Sequence, residues 1–164
     1  MLVIVGSLSG LNWGELMAVY AEGVEENGQE FYPELPQGQQ ILRAEQDFYT
    51  YLSQEFFRCR EECYCVWEEN GKYLSALRLH PFEDGLLVEA LETRPGYRRM
   101  GYANLLMQAV IGRLRPEKLY SHINRSNRAS IAVHERCGFR KFLDYARYAD
   151  GEINTRHDTY LYEA

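Results

Sequence analysis

The sequence predicts an α/β (α+β) fold: a mixed, mostly antiparallel central sheet of about seven strands, with four helices packed on its faces. Three observations carry this prediction. Apolar residues at strand and helix spacings succeed one another in the order β-α-α-β-β-β-α-β-α-β-β. The dipeptide Asn70-Gly71 and the turn from Pro81 to Gly85 string three strands into an antiparallel meander. A strand–helix–strand passage over residues 86–123 then requires one parallel pair. At 164 residues, 46% hydrophobic and 26% charged, the chain reads as one globular domain spanning 1–164.

Each element has a local reason. Leu2–Val5 is β-prone. Asn12 can cap a helix, with Glu15 three residues on in the capping-box position, and Leu16, Met17, Tyr20 and Val24 supply its stripe. That helix should stop near Glu26, before Asn27-Gly28. The aromatic, proline-rich run Phe31–Pro36 reads as a loop. A second helix over about 39–57 carries Ile41, Leu42, Phe48, Tyr51, Leu52 and Phe56. Strands follow at 63–68, 72–80 and 86–93, a helix at 101–113, a strand at 118–123 and a short helix at 128–136 closed by Cys137-Gly138. Residues 139–148 and 158–163 form a last hairpin, joined through Asp150-Gly151.

Composition limits the function. There is no run of about 18 apolar residues for a membrane span, and Met1–Gly6 is too short for a signal-peptide core, so a cytoplasmic protein with no membrane partner is expected. The net charge of −6 is uneven. Residues 1–90 hold 16 acidic and 5 basic side chains, and residues 91–164 hold 8 and 13. The acidic half suits a cationic partner. Nucleic acid is disfavoured, because the arginines cluster at one helix mouth and the pI is about 5.3. Cys59, Cys63, Cys65 and Cys137 follow no common zinc spacing, so no metal is expected and the thiols read as buried apolar groups.

The chemistry concentrates between Gly85 and Met107. A β-prone run ends at Pro95-Gly96, and Arg98-Arg99-Met100-Gly101-Tyr102-Ala103 leads into a helix. First-turn N–H groups without partners, the helix dipole and a glycine without a side chain make a phosphate cradle. The pattern Arg98-x-x-Gly101-x-Ala103 resembles the acyl-CoA pyrophosphate motif of the GNAT N-acetyltransferase superfamily, and Asn127 to Phe139 resembles that family's second motif, about 25 residues on. The resemblance covers residues 60–164. It implies acetyl transfer from acetyl-CoA, by direct attack in a ternary complex, to a primary amine of a small, cationic acceptor. It also implies that the amides of Arg99, Met100, Gly101, Tyr102 and Ala103 bind pyrophosphate, with Arg98 adding charge. Leu91 and Thr93 would pair by backbone with the pantetheine arm where the parallel strands splay beside a bulge. Asn127 would bond the pantetheine region. His134 stands where the family has the tyrosine that protonates the leaving thiolate, and histidine can donate a proton near neutral pH.

A base must take the proton of the attacking amine. On strand parity Glu89 shares a face with Leu87 and Leu91, and Glu92 shares the other with Val88 and Ala90. Glu89 is the preferred base, with a carboxyl raised by its apolar setting. An ion pair with Arg78 is the structural alternative, and Glu92 or a water is the other source of a base. Tyr32, Tyr49, Tyr51, Tyr64 and Tyr73 could line an acceptor pocket. A non-catalytic acyl-CoA-binding sensor is the rival function. A homodimer stays open.

Overall fold

The structure is a computed structural model that describes residues 1–58 and 60–164; Cys59 lies outside the described residues. In chain order the elements are β1 (Leu2–Val5), α1 (Trp13–Val19), α2 (Ala21–Phe31), α3 (Gln37–Gln54), β2 (Cys63–Glu69), β3 (Lys72–Phe82), β4 (Gly85–Thr93), α4 (Tyr102–Leu114), β5 (Lys118–Asn124), α5 (Arg128–Arg136), β6 (Arg140–Leu143), β7 (Ala146–Arg147), β8 (Ile153–Asn154) and β9 (His157–Glu163). Seven strands form one sheet in the order β1-β2-β3-β4-β5-β9-β6, and β7 and β8 make a separate small ribbon. Among the described residues only β4 and β5 pair in parallel, as their crossover through α4 requires. The expected fold class therefore holds, with β6 and β9 as the final hairpin.

Two cores sit on opposite faces of the sheet. Leu16, Val19, Leu52, Tyr64, Val66 and Ala76 pack beneath α1 to α3. Cys65, Leu77, Leu79, Leu106, Met107, Val110 and Leu119 pack beneath α4 and α5. Adjacent strand residues thus split between two apolar layers, as a sheet covered on both sides demands. Among the described residues no helix is long and apolar enough to cross a membrane.

The first helical region corrects the expectation. Instead of four α-helices there are five among the described residues, because the chain bends at Tyr20, whose ψ of 13° departs from helix geometry. The bend seats the buried Tyr20 ring on the sheet, where its hydroxyl donates to the Ala90 carbonyl at 2.7 Å. The capping box is half formed. Asn12 Oδ1 accepts from the Glu15 amide at 3.2 Å. The Glu15 carboxylate turns away to Arg94 at 2.6 Å and to the Tyr73 amide at 3.1 Å, tying α1 to β3 and to the end of β4.

Asn27-Gly28 does not end a helix either, since α2 continues to Phe31. Gly28 is needed there for closeness. A Cβ on it would lie 2.7 Å from the Gln40 carbonyl oxygen of α3. The glycine that reads as a stop is the contact that lets α2 and α3 cross at backbone distance.

This yields a paired test. Gly28→Ala should destabilise the fold by about 1–3 kcal/mol, because backbone must move to admit the methyl. Gly23→Ala, in the same helix with nothing within 4 Å of the added carbon, should stabilise by about 0.5–1 kcal/mol. Denaturant midpoints of the two variants read the difference.

Candidate active site

The site begins at a break in a ladder. β4 and β5 are in register only at Leu86–Leu119, Leu87–Tyr120 and Val88–Ser121, although both strands run on. On the other side of β4, Ala76 faces Glu92 and Arg78 faces Glu89, so Leu77 alone opposes Ala90 and Leu91. That is a β-bulge, and Ala90 takes a φ of +50° to make it. Among the described residues five non-glycines have positive φ. Asn70 and Glu83 lie in turns and Arg115 caps α4, which leaves Ala90 and Arg99 at the site itself.

The bulge opens a wedge between β4 and β5 and orients the backbone within it. The Arg94 amide donates to Leu74 in β3. By the alternation of an antiparallel pair, the N–H and C=O groups of Thr93 and Leu91 point the opposite way, into the wedge. An extended arm lying there could complete the missing ladder. The Thr93 carbonyl is also approached by Arg98 Nε at 3.4 Å.

Next to the wedge is the mouth of α4. Gly101 is the cap residue, left-handed at φ +89° with no side-chain cap, and space is open around its missing Cβ. The first-turn amides of Tyr102, Ala103 and Asn104 have no acceptor within the helix. Arg99 is exposed and Met100 is 60% exposed. Arg98 does not aim at the mouth. Its guanidinium lies 2.6 Å from Glu22 of α2 and 3.8 Å from Glu92. The cradle as it stands is made of backbone.

The bulge also overturns the strand parity. Register partners share a face, so Glu89, opposite Arg78, and Glu92, opposite Ala76, both lie on the α1–α3 side. Glu92 is half exposed, and burial raises its carboxyl. Glu89 behaves contrary to expectation. His80 Nε2 stands 3.3 Å from its Oε2 and Arg78 Nη2 stands 3.6 Å away. The His80 imidazole first, then the charge of Arg78, hold the Glu89 carboxyl below its ordinary value against the burial that would raise it. Glu89 is therefore a carboxylate throughout the neutral range, and the ion pair weighed as the alternative is present. His122, whose pKa is lowered by burial, is near enough to feel Glu89.

His134 and Asn127 sit on α5. Asn127 Oδ1 caps the helix by accepting from the Ser130 amide at 3.0 Å. His134 is buried, edge-on to Phe139. Its Nδ1 lies 2.8 Å from the Ser130 carbonyl oxygen. A carbonyl only accepts, so Nδ1 carries the proton and Nε2 a lone pair. Nε2 is buried with no partner among the described residues. Burial lowers the His134 pKa, so the ring is neutral at neutral pH.

Between the α2–α3 pair and the bulge is a cavity of about 300 Å³. Tyr20, Val24, Phe31, Phe48, Tyr51 and Ala90 give it apolar walls, and Asn27, Asp47 and Arg78 add polarity. Of the five tyrosines expected there, Tyr32 and Tyr51 line it. Tyr64 and Tyr73 are buried in the core, and Tyr49 stacks edge-on against Trp13. The α2 lining was missed because α2 was ended too early. His80 was missed although it lies two residues from Arg78 on one strand, and so on the same face. Among the described residues no cluster of His, Cys, Asp and Glu could hold a metal. Cys137 is an inert thiol, pushed up to about 11 by burial, near Asn104 Oδ1 at 3.1 Å.

A splayed parallel pair, a bulge and an uncapped helix mouth side by side define a protein built to hold an extended, phosphate-bearing arm. The family comparison agrees: the profile described as the acetyltransferase (GNAT) family matches residues 25–139. The chain belongs to that family and is an N-acetyltransferase with acetyl-CoA as co-substrate. Solved structures share the fold. PaiA N-acetyltransferase from Thermoplasma acidophilum, in complex with coenzyme A, superposes with a TM-score of 0.63 at 10% identity, covering 100% of this chain and 99% of that one. The ribosomal-protein-S18-alanine N-acetyltransferase of Escherichia coli gives 0.57 at 20% identity, covering 98% and 91%. A spermidine N-acetyltransferase SpeG chimera of Vibrio cholerae and hSSAT gives 0.57 at 17%, covering 99% and 95%. A sequence search of curated proteins returned no match.

The His80–Glu89 contact can be tested directly. His80→Gln should move the Glu89 carboxyl titration upward, read by carboxyl ¹³C chemical shifts. An unmoved titration would leave Arg78 as the sole cause. Because the folded value lies below the unfolded one, this carboxylate's contribution to stability is present at neutral pH and is lost as pH falls through the folded value.

Proposed function

We propose that this enzyme transfers the acetyl group of acetyl-CoA to the primary amine of a small acceptor bound in the α2–α3 cavity. The observation that carries the reading is the opening of that cavity onto Ala90, at the bulge where the β4–β5 ladder fails. The wedge residues Leu91 and Thr93 would hold the pantetheine arm by backbone. The amides from Arg99 to Ala103 would hold the pyrophosphate, and Arg98 would join them on leaving Glu22. The free amide nitrogen of Asn127 would donate to the arm near α5. Acetyl-CoA supplies an acetyl thioester, already activated toward amines.

The protein's remaining tasks are orientation and proton movement. The exposed acids of α2 attract an ammonium ion from solvent. Glu89, held as a carboxylate by His80 and Arg78, takes the ammonium proton through a water, which frees the nitrogen lone pair for attack. A lowered pKa makes Glu89 a weak base, so proton removal relies on position more than on basicity. His134, neutral with its Nδ1–H on the Ser130 carbonyl, presents a lone pair at Nε2 and no proton to give, so the departing thiolate would take its proton from water.

Two variants test this. Gly101→Glu should abolish CoA binding in calorimetry by placing bulk and negative charge in the cradle. Gly101→Ala carries the same left-handed strain, about 1–2 kcal/mol, and should retain measurable binding. Equal binding by both variants would remove the helix mouth from the site. Glu89→Gln should lower turnover about 10²-fold or more, with the loss largest at low pH where the amine is protonated. An unchanged pH–rate profile would place the base elsewhere.

A further inference from the structure

Arg78 is the one cation lining the cavity among the described residues, and its surroundings leave it underused. Its side chain is 15% exposed. It is ringed by Tyr51, Phe56 and Phe48, with centroids 5.0, 5.6 and 6.0 Å from the guanidinium carbon. Its Nε is buried without a hydrogen-bond partner among the described residues. The contact to Glu89 at 3.6 Å is longer than a charge-assisted hydrogen bond. The adjacent Tyr64, its register partner on β2, is also buried with an unpartnered hydroxyl. Of these two groups Arg78 lines the cavity, and a loosely held cation there is a site short of an acceptor.

We propose that the amine acceptor is an α-amino acid with an apolar side chain. Its carboxylate meets Arg78, its side chain fills the cavity among Phe31, Phe48 and Tyr51, and its amine lies toward Ala90. The lining supports the match. Arg78 lines the cavity and its register partner Glu89 does not, so the sheet presents a cation there to receive the carboxylate. The inference rests on the acetyl-transfer reading of this site.

Thiol release from acetyl-CoA by the wild-type enzyme decides it, with phenylalanine, tyrosine and leucine set against 2-phenylethylamine and spermidine. The expected result is a kcat/KM for the best amino acid about 10- to 100-fold above that of 2-phenylethylamine, the discrimination of one hydrogen-bonded charge. Arg78→Lys keeps the buried charge but loses the planar fork, and should shrink that preference several-fold. The wild-type panel stands even if this variant folds poorly. Turnover of 2-phenylethylamine or spermidine equal to or faster than the amino acids would overturn the amino-acid inference and leave acetyl transfer intact. No thiol release with any amine, while CoA still binds, would overturn both.

Discussion

The bulge at Ala90 is the constraint on which the rest of this site depends. One extra residue in β4 ends its pairing with β5, turns the backbone of Leu91 and Thr93 into the gap, and brings Glu89 and Glu92 to the same face. A left-handed alanine is costly by about 1–3 kcal/mol and persists only where its neighbours enforce it. Here the enforcement is visible. Tyr20, held at the bend between α1 and α2, donates its hydroxyl to the Ala90 carbonyl. The Arg94–Glu15 pair fixes the strand's end to α1. The helical region that walls the cavity thus also stabilises the backbone distortion that opens the wedge.

Much of this was legible in the residues, for definable reasons. Strands and the later helices were found nearly at their boundaries, because their periodicities are strong and Asn70-Gly71, Pro95-Gly96 and Cys137-Gly138 punctuate them. The helix mouth was legible because Gly101 has to be a glycine at its φ. The errors lie where a local signal has two physical meanings. Gly28 reads as a helix stop and serves as a helix–helix contact. Asn12 and Glu15 spell a capping box, but a long-range arginine outcompetes half of it. Strand parity placed Glu89 and Glu92 on opposite faces, and a bulge, which leaves no mark in the residue types, reversed that.

The protonation states were the least legible. An acidic residue among Leu87, Val88, Ala90 and Leu91 suggests a raised pKa only if no partner comes from elsewhere in the chain. His80 and Arg78 come from β3, and the carboxyl goes down instead. His134 differs from a tyrosine in the same place in a way that the side chain's list of atoms hides. Its Nδ1–H is spent on the Ser130 carbonyl one turn back, so the free nitrogen accepts where a hydroxyl would donate.

The division of labour between the two sheet faces bears on how such a chain changes over time. The wedge and the helix mouth are built from main-chain groups, which most substitutions leave alone. The cavity is walled by side chains on α2 and α3, which meet the sheet through rings and not through a hydrogen-bonded ladder. Exchanges among Phe31, Phe48 and Tyr51 can therefore reshape the cavity without disturbing the wedge or the helix mouth. Solved structures keep this architecture at 10–20% identity.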